Sequence, residues 1–132
     1  MTEQLEVRTP SHSCFVDITA EVQRAVAKSK IADGICLVFV PHTTAGVTIN
    51  ENADPTVRSD MLAALERVVP WEAGYDHDEG NAAAHVKASL MGSSQTVIVE
   101  GARLKLGTWQ AIYLAEFDGP RSRRVLVRTL PV

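Results

Sequence analysis

The sequence has no long apolar segment, few cysteines and no large excess of either charge. None of its apolar runs approaches the roughly 20 residues that a membrane-spanning helix needs. The first residues, MTEQLEVRT, lack the charged and then apolar layout of a signal peptide. The 13 basic and 16 acidic residues leave a net charge of −3, which gives no indication of a nucleic-acid-binding surface. We therefore expect a cytoplasmic protein that binds neither membrane nor nucleic acid.

The common nucleotide-binding and nucleophile motifs are also absent. There is no G-x-x-x-x-G-K-[ST] loop, no G-x-G-x-x-G turn and no G-x-S-x-G elbow. Cys14 and Cys36 both lie in apolar, strand-like surroundings, which favours buried reduced thiols over a disulfide or a metal pair. A phosphate group would instead need hydroxyls, helix N-termini and basic side chains. The available donors are Thr43, Thr44, Lys87, Ser93, Thr108, Arg121, Arg123 and Arg124.

The length and the hydrophobic pattern predict one α+β domain over residues 1–132. The hydrophobic fraction of 45% is typical of a globular protein with a real core. Alternating or β-branched runs predict about seven strands, at 4–9, 13–16, 35–40, 45–50, 95–100, 109–117 and 124–130. Helical spacing predicts two or three short helices, with candidate starts near Asp17 or Thr19, at Asp54 and at Asn81. The strands cluster at the end of the chain, so a doubly wound sheet is not indicated.

The segment 39–60 carries most of the polar side chains that could do chemistry. An apolar strand ends there in Pro41, His42, Thr43 and Thr44, and the next strand ends in two amides and a carboxylate. Polar side chains at the rim of a sheet are where sites are usually built. A bland turn followed by a helix cap remains the alternative for this segment.

Three histidines predict a metal site. His42 follows a strand, His77 lies in a polar loop and His85 lies on the helix behind that loop, close to Asn81. If they converge, they would hold one divalent ion and leave a position open, and imidazole ligands favour zinc over magnesium. Nearby carboxylates could orient the ligands or act as acid and base, namely Glu51, Asp78 and Glu79. The alternative is that His42 ends a strand and His77 is solvated.

Three segments resemble the signatures of a known family. They are PHTTAGVTINENADPTVRSDM, HDEGNAAAHVKASLMG and GTWQAIYLAEFDGPRSRR, and together with their surroundings they extend from about Phe15 to Val127. They resemble the YjbQ family, which is described as a family of secondary thiamine-phosphate synthases. The resemblance implies a single domain with a two-sheet β-sandwich that assembles as a homotrimer.

The resemblance also implies a set of site residues. His42, His77 and His85 would gather near Asn50, Glu51 and Asn52, at a place that could be a boundary between subunits. His42, His77 and His85 would bind the metal, and the catalytic groups would be His42, Glu51, His85 and Lys87. The candidate substrate-binding residues are Thr43, Thr44, Asn50, Asn52, Asn81, Ser89, Thr108, Trp109, Gln110 and Arg121.

The activity that the resemblance implies would join a hydroxymethylpyrimidine diphosphate to a thiazole phosphate and release pyrophosphate. A metal on His42 and His85 would neutralise the diphosphate, and Lys87 or Arg121 would bind the phosphates. Two alternatives stay open at this point. One is a metal-dependent hydrolase of a small phosphorylated or acyl substrate, and the other is a non-catalytic trimer that binds a small anionic ligand.

Overall fold

A computed structural model describes all residues, 1–132, and contains two β-sheets and three helices. The strands are β1 (Thr2–Arg8), β2 (Cys14–Asp17), β3 (Gly34–Phe39), β4 (Ala45–Glu51), β5 (Ser94–Glu100), β6 (Arg103–Leu104), β7 (Gln110–Glu116) and β8 (Ser122–Pro131). The helices are α1 (Thr19–Ser29), α2 (Pro55–Val68) and α3 (Ala82–Met91). The predicted α+β domain with two sheets is confirmed, with eight strands in place of about seven.

The two sheets pack face to face around one core. One sheet has the order β1-β8-β3-β5-β6 and the other the order β2-β7-β4, and every neighbouring pair of strands is antiparallel. The main core cluster has 16 buried residues, drawn from both sheets and from α1. Burial of this apolar surface is the main driving force for the fold, because each large aliphatic side chain contributes about 1.5–3 kcal/mol.

Helix α1 belongs to the core. Its positions Val22, Ala25 and Val26 recur at helical spacing and are all buried, as the apolar pattern predicts. The helix does not begin with a side-chain cap on Ile18, but Asp17 accepts hydrogen bonds from the Thr19 amide and hydroxyl, at 2.9 and 2.6 Å. A residue in the left-handed region, Lys30, ends it.

Helix α2 lies on the outside of the domain. Asp54 caps it as predicted, because its carboxylate accepts a hydrogen bond from the Thr56 amide at 2.9 Å and Pro55 follows at the first helical position. None of its residues is buried, and Val68 is 73% exposed. The apolar stripe of α2 is therefore only partly covered within one chain.

Helix α3 packs on the outer face of the smaller sheet. Ala84 and Ala88 form a second apolar cluster with Ala115 and Phe117, and small side chains let the helix approach the sheet closely. Gly46 on β4 belongs to this contact, because a Cβ atom there would lie only 2.6 Å from the Gly92 carbonyl oxygen. α3 thereby runs alongside the segment that joins β3 to β4.

Candidate functional site

A polar cleft lies where the chain crosses from the larger sheet to the smaller one. The segment 40–44 makes this crossing, and α3 borders it on the other side. Two adjoining cavities of about 490 and 340 Å³ open here, and both are lined by His42, Thr43 and His85. We call them together the histidine cleft. Its remaining lining residues are Pro41, Thr44, Ala45, Glu79, Asn81, Ala88, Ser89, Gly92, Ser93, Asp118, Arg121 and Arg123.

His42 is held in a single orientation in this cleft. Its Nε2 accepts a hydrogen bond from the Arg124 backbone N–H at 2.9 Å, so in the neutral ring the proton sits on Nδ1. Burial and then the positive charges of Arg123 and Arg124 lower the pKa of His42, against the opposing charge of Glu116. His42 is therefore a neutral hydrogen-bond donor at pH 7.

His85 faces the same cleft from α3 and is less constrained. Its ring lies edge-on to His77, with ring centroids 5.3 Å apart. His77 itself lies in the exposed loop before α3, with Nε2 3.5 Å from Glu79 Oε1. The structure thus brings His77 near His85, and His85 to the same cleft as His42.

The predicted three-histidine metal centre is not formed in the structure. No three or more His, Cys, Asp or Glu side chains are grouped so that they could hold a metal ion. One reason is local, because the lone pair of His42 Nε2 is already engaged by the Arg124 N–H. These three histidines therefore do not fit a metal ion in this arrangement.

Lys87 does not face the cleft. Its side chain is 3% exposed, and its Nζ lies 2.6 Å from Glu66 Oε2 on α2. Helical spacing explains this, because Lys87 is two residues from His85 and so lies on a different face of α3. The ammonium group connects α3 to α2 through this ion pair. It is therefore not free to bind a phosphate, contrary to the expectation.

The other end of β4 carries a second group of predicted site residues. Asn50, Glu51 and Asn52 lie at the far end of β4, a strand that extends about 20 Å from Ala45 to Glu51 at roughly 3.3 Å per residue. They pair with the start of β7, where Glu51 is opposite Gln110 and the Asn52 N–H donates to the Trp109 carbonyl at 3.1 Å. Within one chain, the structure does not bring this group to the histidines.

The side chains of this second group are mostly exposed, and two of them accept hydrogen bonds from nearby backbone amides. Trp109 is 62% exposed, Thr108 is exposed, and Gln110 Oε1 accepts a hydrogen bond from the Gly107 N–H at 2.8 Å. Asn50 Oδ1 accepts from the Glu51 N–H at 2.7 Å. This corner has no hydrogen bond to the histidine cleft.

Several predicted binding residues do line the histidine cleft. Thr43 is exposed there, whereas Thr44 is 6% exposed and its hydroxyl accepts a hydrogen bond from Arg123 Nη2 at 2.8 Å. Ser89 donates to the His85 carbonyl at 3.0 Å. Arg121 is held by Asp118, with Nη2 3.1 Å from Oδ2.

The Asn81 side chain bonds to Asp118 in the wall of the cleft and does not cap α3. It occupies the cap position, but its side chain makes no capping hydrogen bond, and Nδ2 donates to Asp118 Oδ2 at 2.9 Å. Its Oδ1 is the one fully buried side-chain oxygen or nitrogen without a partner. The expectation that Asn81 caps the helix is wrong because Asp118, which is remote in sequence, competes for the amide.

Sequence reasoning missed the buried carboxylate beneath the cleft. Glu116 is 0% exposed and accepts hydrogen bonds from the Thr9 hydroxyl at 2.8 Å, from Arg123 Nε at 2.7 Å and from the Asp118 N–H at 2.9 Å. Burial alone would raise its pKa. These hydrogen bonds and the Arg123 charge together lower it by more, so the net pKa is below the ordinary value. The available signal was a single acidic residue within the apolar run of β7.

Each of the two cavities of the histidine cleft is smaller than one further cavity of the protein. A cavity of about 600 Å³ lies between α1 and β6, lined by Asp17, Thr19, Ala20, Glu21, Gln23, Arg103, Leu104 and Leu106. It contains no histidine and no buried charged side chain. The two smaller cavities of the histidine cleft are therefore the better candidates for a functional site.

No helix of the protein is both long and apolar enough to pass through a membrane. Both cysteines are free, with Cys36 buried and Cys14 half-buried. Only Cys36 is buried as expected, and neither thiol lines the histidine cleft.

Comparison with known proteins places the chain among close relatives. The family described as UPF0047 protein YjbQ-like matches residues 3–131. The UPF0047 protein YugU of Bacillus subtilis is 50% identical over 131 residues, which cover 98% of this chain and 99% of YugU.

Solved structures show the same fold. A YjbQ/UPF0047 protein of Clostridium acetobutylicum is 54% identical, with a TM-score of 0.95 over 97% of this chain and 99% of that one. A YbjQ-like protein of unknown function from Sulfolobus solfataricus is 35% identical, with a TM-score of 0.95 over 100% of this chain and 97% of that one.

These comparisons overturn the predicted activity. The relatives are named as UPF0047 proteins or as proteins of unknown function, and none of these names mentions thiamine-phosphate synthesis. The metal centre on which both the synthase and the metal-dependent hydrolase hypotheses depend is not formed. The names also give no support to a non-catalytic anion binder. The predicted synthase function is therefore wrong as stated.

The family itself is confirmed. The match runs across nearly the whole chain, and each of the three signature segments contributes residues to the wall of the histidine cleft. The chain therefore belongs to the UPF0047 family of YjbQ-like proteins.

Proposed function

We propose that the histidine cleft is the active site of an enzyme that transfers protons on a small phosphorylated substrate. His85 acts as the base, and His42 donates a hydrogen bond from Nδ1 to the charge that develops on the substrate. The observation that carries the proposal is the hydrogen bond from the Arg124 N–H to His42 Nε2, which leaves a neutral imidazole with its remaining N–H available.

The two histidines support different roles because their surroundings differ. His42 has one nitrogen occupied and a lowered pKa, so it stays neutral and polarises a substrate oxygen. The ring nitrogens of His85 take no part in the hydrogen bonds within the chain, so they are free to accept a proton. His42 and His85, from two separate parts of the fold, thus face one cavity, the first as a hydrogen-bond donor and the second as a base.

The lining of the cleft supports a small polar substrate. The smaller cavity of about 340 Å³ has no hydrophobic residue in its wall, and the larger has two. Hydroxyl, amide and guanidinium groups of Thr43, Asn81 and Arg123 in the wall of the smaller cavity provide donors for phosphate oxygens. A large apolar ligand would find little surface to bury here.

Substitution of either histidine tests this function. We expect His42→Asn and His85→Asn each to lower the turnover of the active substrate by about 10²–10⁴-fold, the usual contribution of acid–base groups. Turnover of a panel of small phosphate esters and phosphorylated acids is followed by ³¹P NMR. His12→Asn is the matched control because His12 contacts Trp71 outside the cleft. Equal activity of all three variants, or no turnover by the unaltered protein, would rule the proposal out.

A divalent ion, with zinc preferred over magnesium, would bind here only if the histidines left the arrangement described above. Binding through His42 would require its ring to release the Arg124 N–H, or a different ligand set at His77, His85 and Glu79. The metal content of the protein purified without added ions is compared with that of His77→Asn. This comparison tests metal binding independently of turnover.

We further propose a cytoplasmic homotrimer. The support is the partly uncovered apolar stripe of α2 and the 62% exposed Trp109, since large exposed apolar side chains indicate association surfaces. An assembly would also allow the corner at Asn50–Asn52 of one subunit to approach the histidine cleft of the next.

A further inference from the structure

Arg123 lies beneath the histidine cleft as a buried cation. Its side chain is 5% exposed, and it pairs with the fully buried carboxylate of Glu116. Nε donates to Glu116 Oε1 at 2.7 Å, and Nη2 donates to Glu116 Oε2 and to the Thr44 hydroxyl, the latter at 2.8 Å. These bonds fix the plane of the guanidinium between β7, β8 and the segment that carries His42.

The remaining nitrogen of Arg123 has no partner in these contacts. All of its hydrogen bonds come from Nε and Nη2, and Nη1 takes part in none. Asn81 Oδ1 is the only fully buried side-chain oxygen or nitrogen without a partner, so Nη1 is not sealed away from solvent. Arg123 also forms part of the wall of the smaller cavity, into which its unpaired N–H groups can donate.

Stability alone does not account for this arrangement. A buried ion pair is commonly no more stabilising than apolar residues of similar volume, since both charges lose their hydration. Here the pair leaves strong donors unused at the floor of a polar cavity. A guanidinium with free N–H groups and a fixed plane is the usual partner of a phosphate or carboxylate oxygen.

The neighbouring charges favour Arg123 over Arg121 as the anion-binding group. Arg121 is half exposed, and its Nε and Nη2 both donate to Asp118, at 2.7 and 3.1 Å. An exposed, paired arginine gives little binding energy because water screens its charge. The Arg123 side chain as a whole is only 5% exposed, so its Nη1 would donate in a less hydrated place, where a charged donor contributes more.

We propose that Arg123 Nη1 binds an oxyanion of the substrate, while Glu116 and Thr44 hold the guanidinium in place. This inference rests on the proposed function and specifies which group of the substrate enters the floor of the cleft. The substrate is then oriented with its phosphate on Arg123 and its reacting atoms toward His42 and His85. Thr44 acts as a positioning residue through Arg123.

Binding of inorganic phosphate tests the proposal without any turnover. The ¹H–¹⁵N spectrum of the protein is titrated with phosphate and, in a separate series, with acetate. We expect shifts in the Thr43 and Thr44 amides, with an affinity for phosphate that falls at least tenfold in Arg123→Lys, because lysine keeps the charge and loses the planar fork. Arg128→Lys is the matched control, since Arg128 lies exposed on the same strand outside the cleft.

The outcomes separate the possible sources of the oxyanion. Saturable binding of phosphate alone identifies a phosphorylated substrate, and binding of acetate alone identifies a carboxylate, and either supports Arg123 if the lysine variant loses it. The proposal is overturned if neither anion binds, or if Arg121→Lys loses the affinity and Arg123→Lys keeps it.

A second measurement uses the unaltered protein, in case Arg123→Lys does not fold. The side-chain ¹⁵N resonances of Arg123 should shift on addition of phosphate, and no shift of them at saturation would contradict the inference. The proposed function fails separately, because phosphate can bind at Arg123 even if no substrate is turned over. Conversely, histidine variants that abolish turnover beside an unchanged phosphate affinity in Arg123→Lys would overturn only this inference.

Discussion

Single residues in this protein owe their chemistry to partners that are far away in sequence. The pKa of His42 is lowered by burial and then by the charges of Arg123 and Arg124, which follow it by about eighty residues. Cys36 is 0% exposed between β5 and β8, and burial raises its pKa from 9.0 to about 11, slightly offset by a hydrogen bond with Thr129. Both shifts follow from removal of charge from water, in opposite directions for an acid and a base.

Because the pKa of the Cys36 thiol is raised in the folded protein, we expect a loss of stability in alkali. The folded pKa is raised, so the stabilisation is complete below pH 9 and is lost as the pH rises toward 11. Between pH 8 and pH 10.5 we expect the free energy of unfolding to fall by about 2 kcal/mol more in the unaltered protein than in Cys36→Ala. Urea denaturation at the two pH values measures this. Equal losses in both proteins would contradict it.

At the scale of elements, contacts between α3 and β4 position the histidine cleft. The Val47 N–H donates to the Gly92 carbonyl at 3.0 Å, just past the end of α3, and the Val40 N–H donates to the Ser93 carbonyl at 2.8 Å. These backbone bonds hold the end of α3 against both strands that flank the segment 40–44. His85 consequently faces His42, whereas Lys87 turns to Glu66 on α2.

Gly46 makes this close approach possible. A Cβ atom at Gly46 would lie 2.6 Å from the Gly92 carbonyl oxygen and 3.2 Å from that of Ala88, and backbone atoms cannot move aside cheaply. We expect Gly46→Ala to destabilise the protein by about 1–3 kcal/mol, as overpacking does, and to shift the amide resonances of α3. Thermal unfolding and the amide spectrum measure both effects.

Gly107→Ala is the control for Gly46→Ala. Its added Cβ would meet only the flexible Gln110 side chain, at 3.2 Å or more. A destabilisation of the same size in both variants would show that close packing of α3 on β4 is not the cause.

At the scale of the whole molecule, the two ends of β4 carry two separate polar groups. The histidine cleft lies at one end, and the corner at Asn50–Asn52 and Trp109 lies at the other. Helix α2 connects this corner to the loop that carries His77, with no buried residue of its own. Association of chains through α2 is the simplest way to cover its apolar stripe.

The oligomeric state tests this directly. Light scattering coupled to size-exclusion chromatography should give about three times the chain mass of 14.3 kDa. Val68→Glu, on the exposed side of α2, should reduce the mass toward that of one chain, because a charge would replace apolar contact. Val132→Glu, at the exposed C-terminus, should leave the mass unchanged. A single-chain mass for the unaltered protein would contradict the proposal.

Local sequence by itself determined the elements and the family. Helix α3 lies at Ala82–Met91 as its spacing predicts, Asp54 caps α2, and the apolar positions of α1 are buried, since these depend on hydrogen bonds and periodicity within a few residues. The cleft was foreseen in part, since the predicted residues that line it are His42, Thr43, Thr44, Asn81, His85, Ser89 and Arg121. The tertiary structure alone decided the Glu116–Arg123 pair, the use of Lys87 by Glu66 and the separation of Asn50–Asn52 from the histidines. These depend on strand register and helix packing, which join residues that no short-range pattern relates.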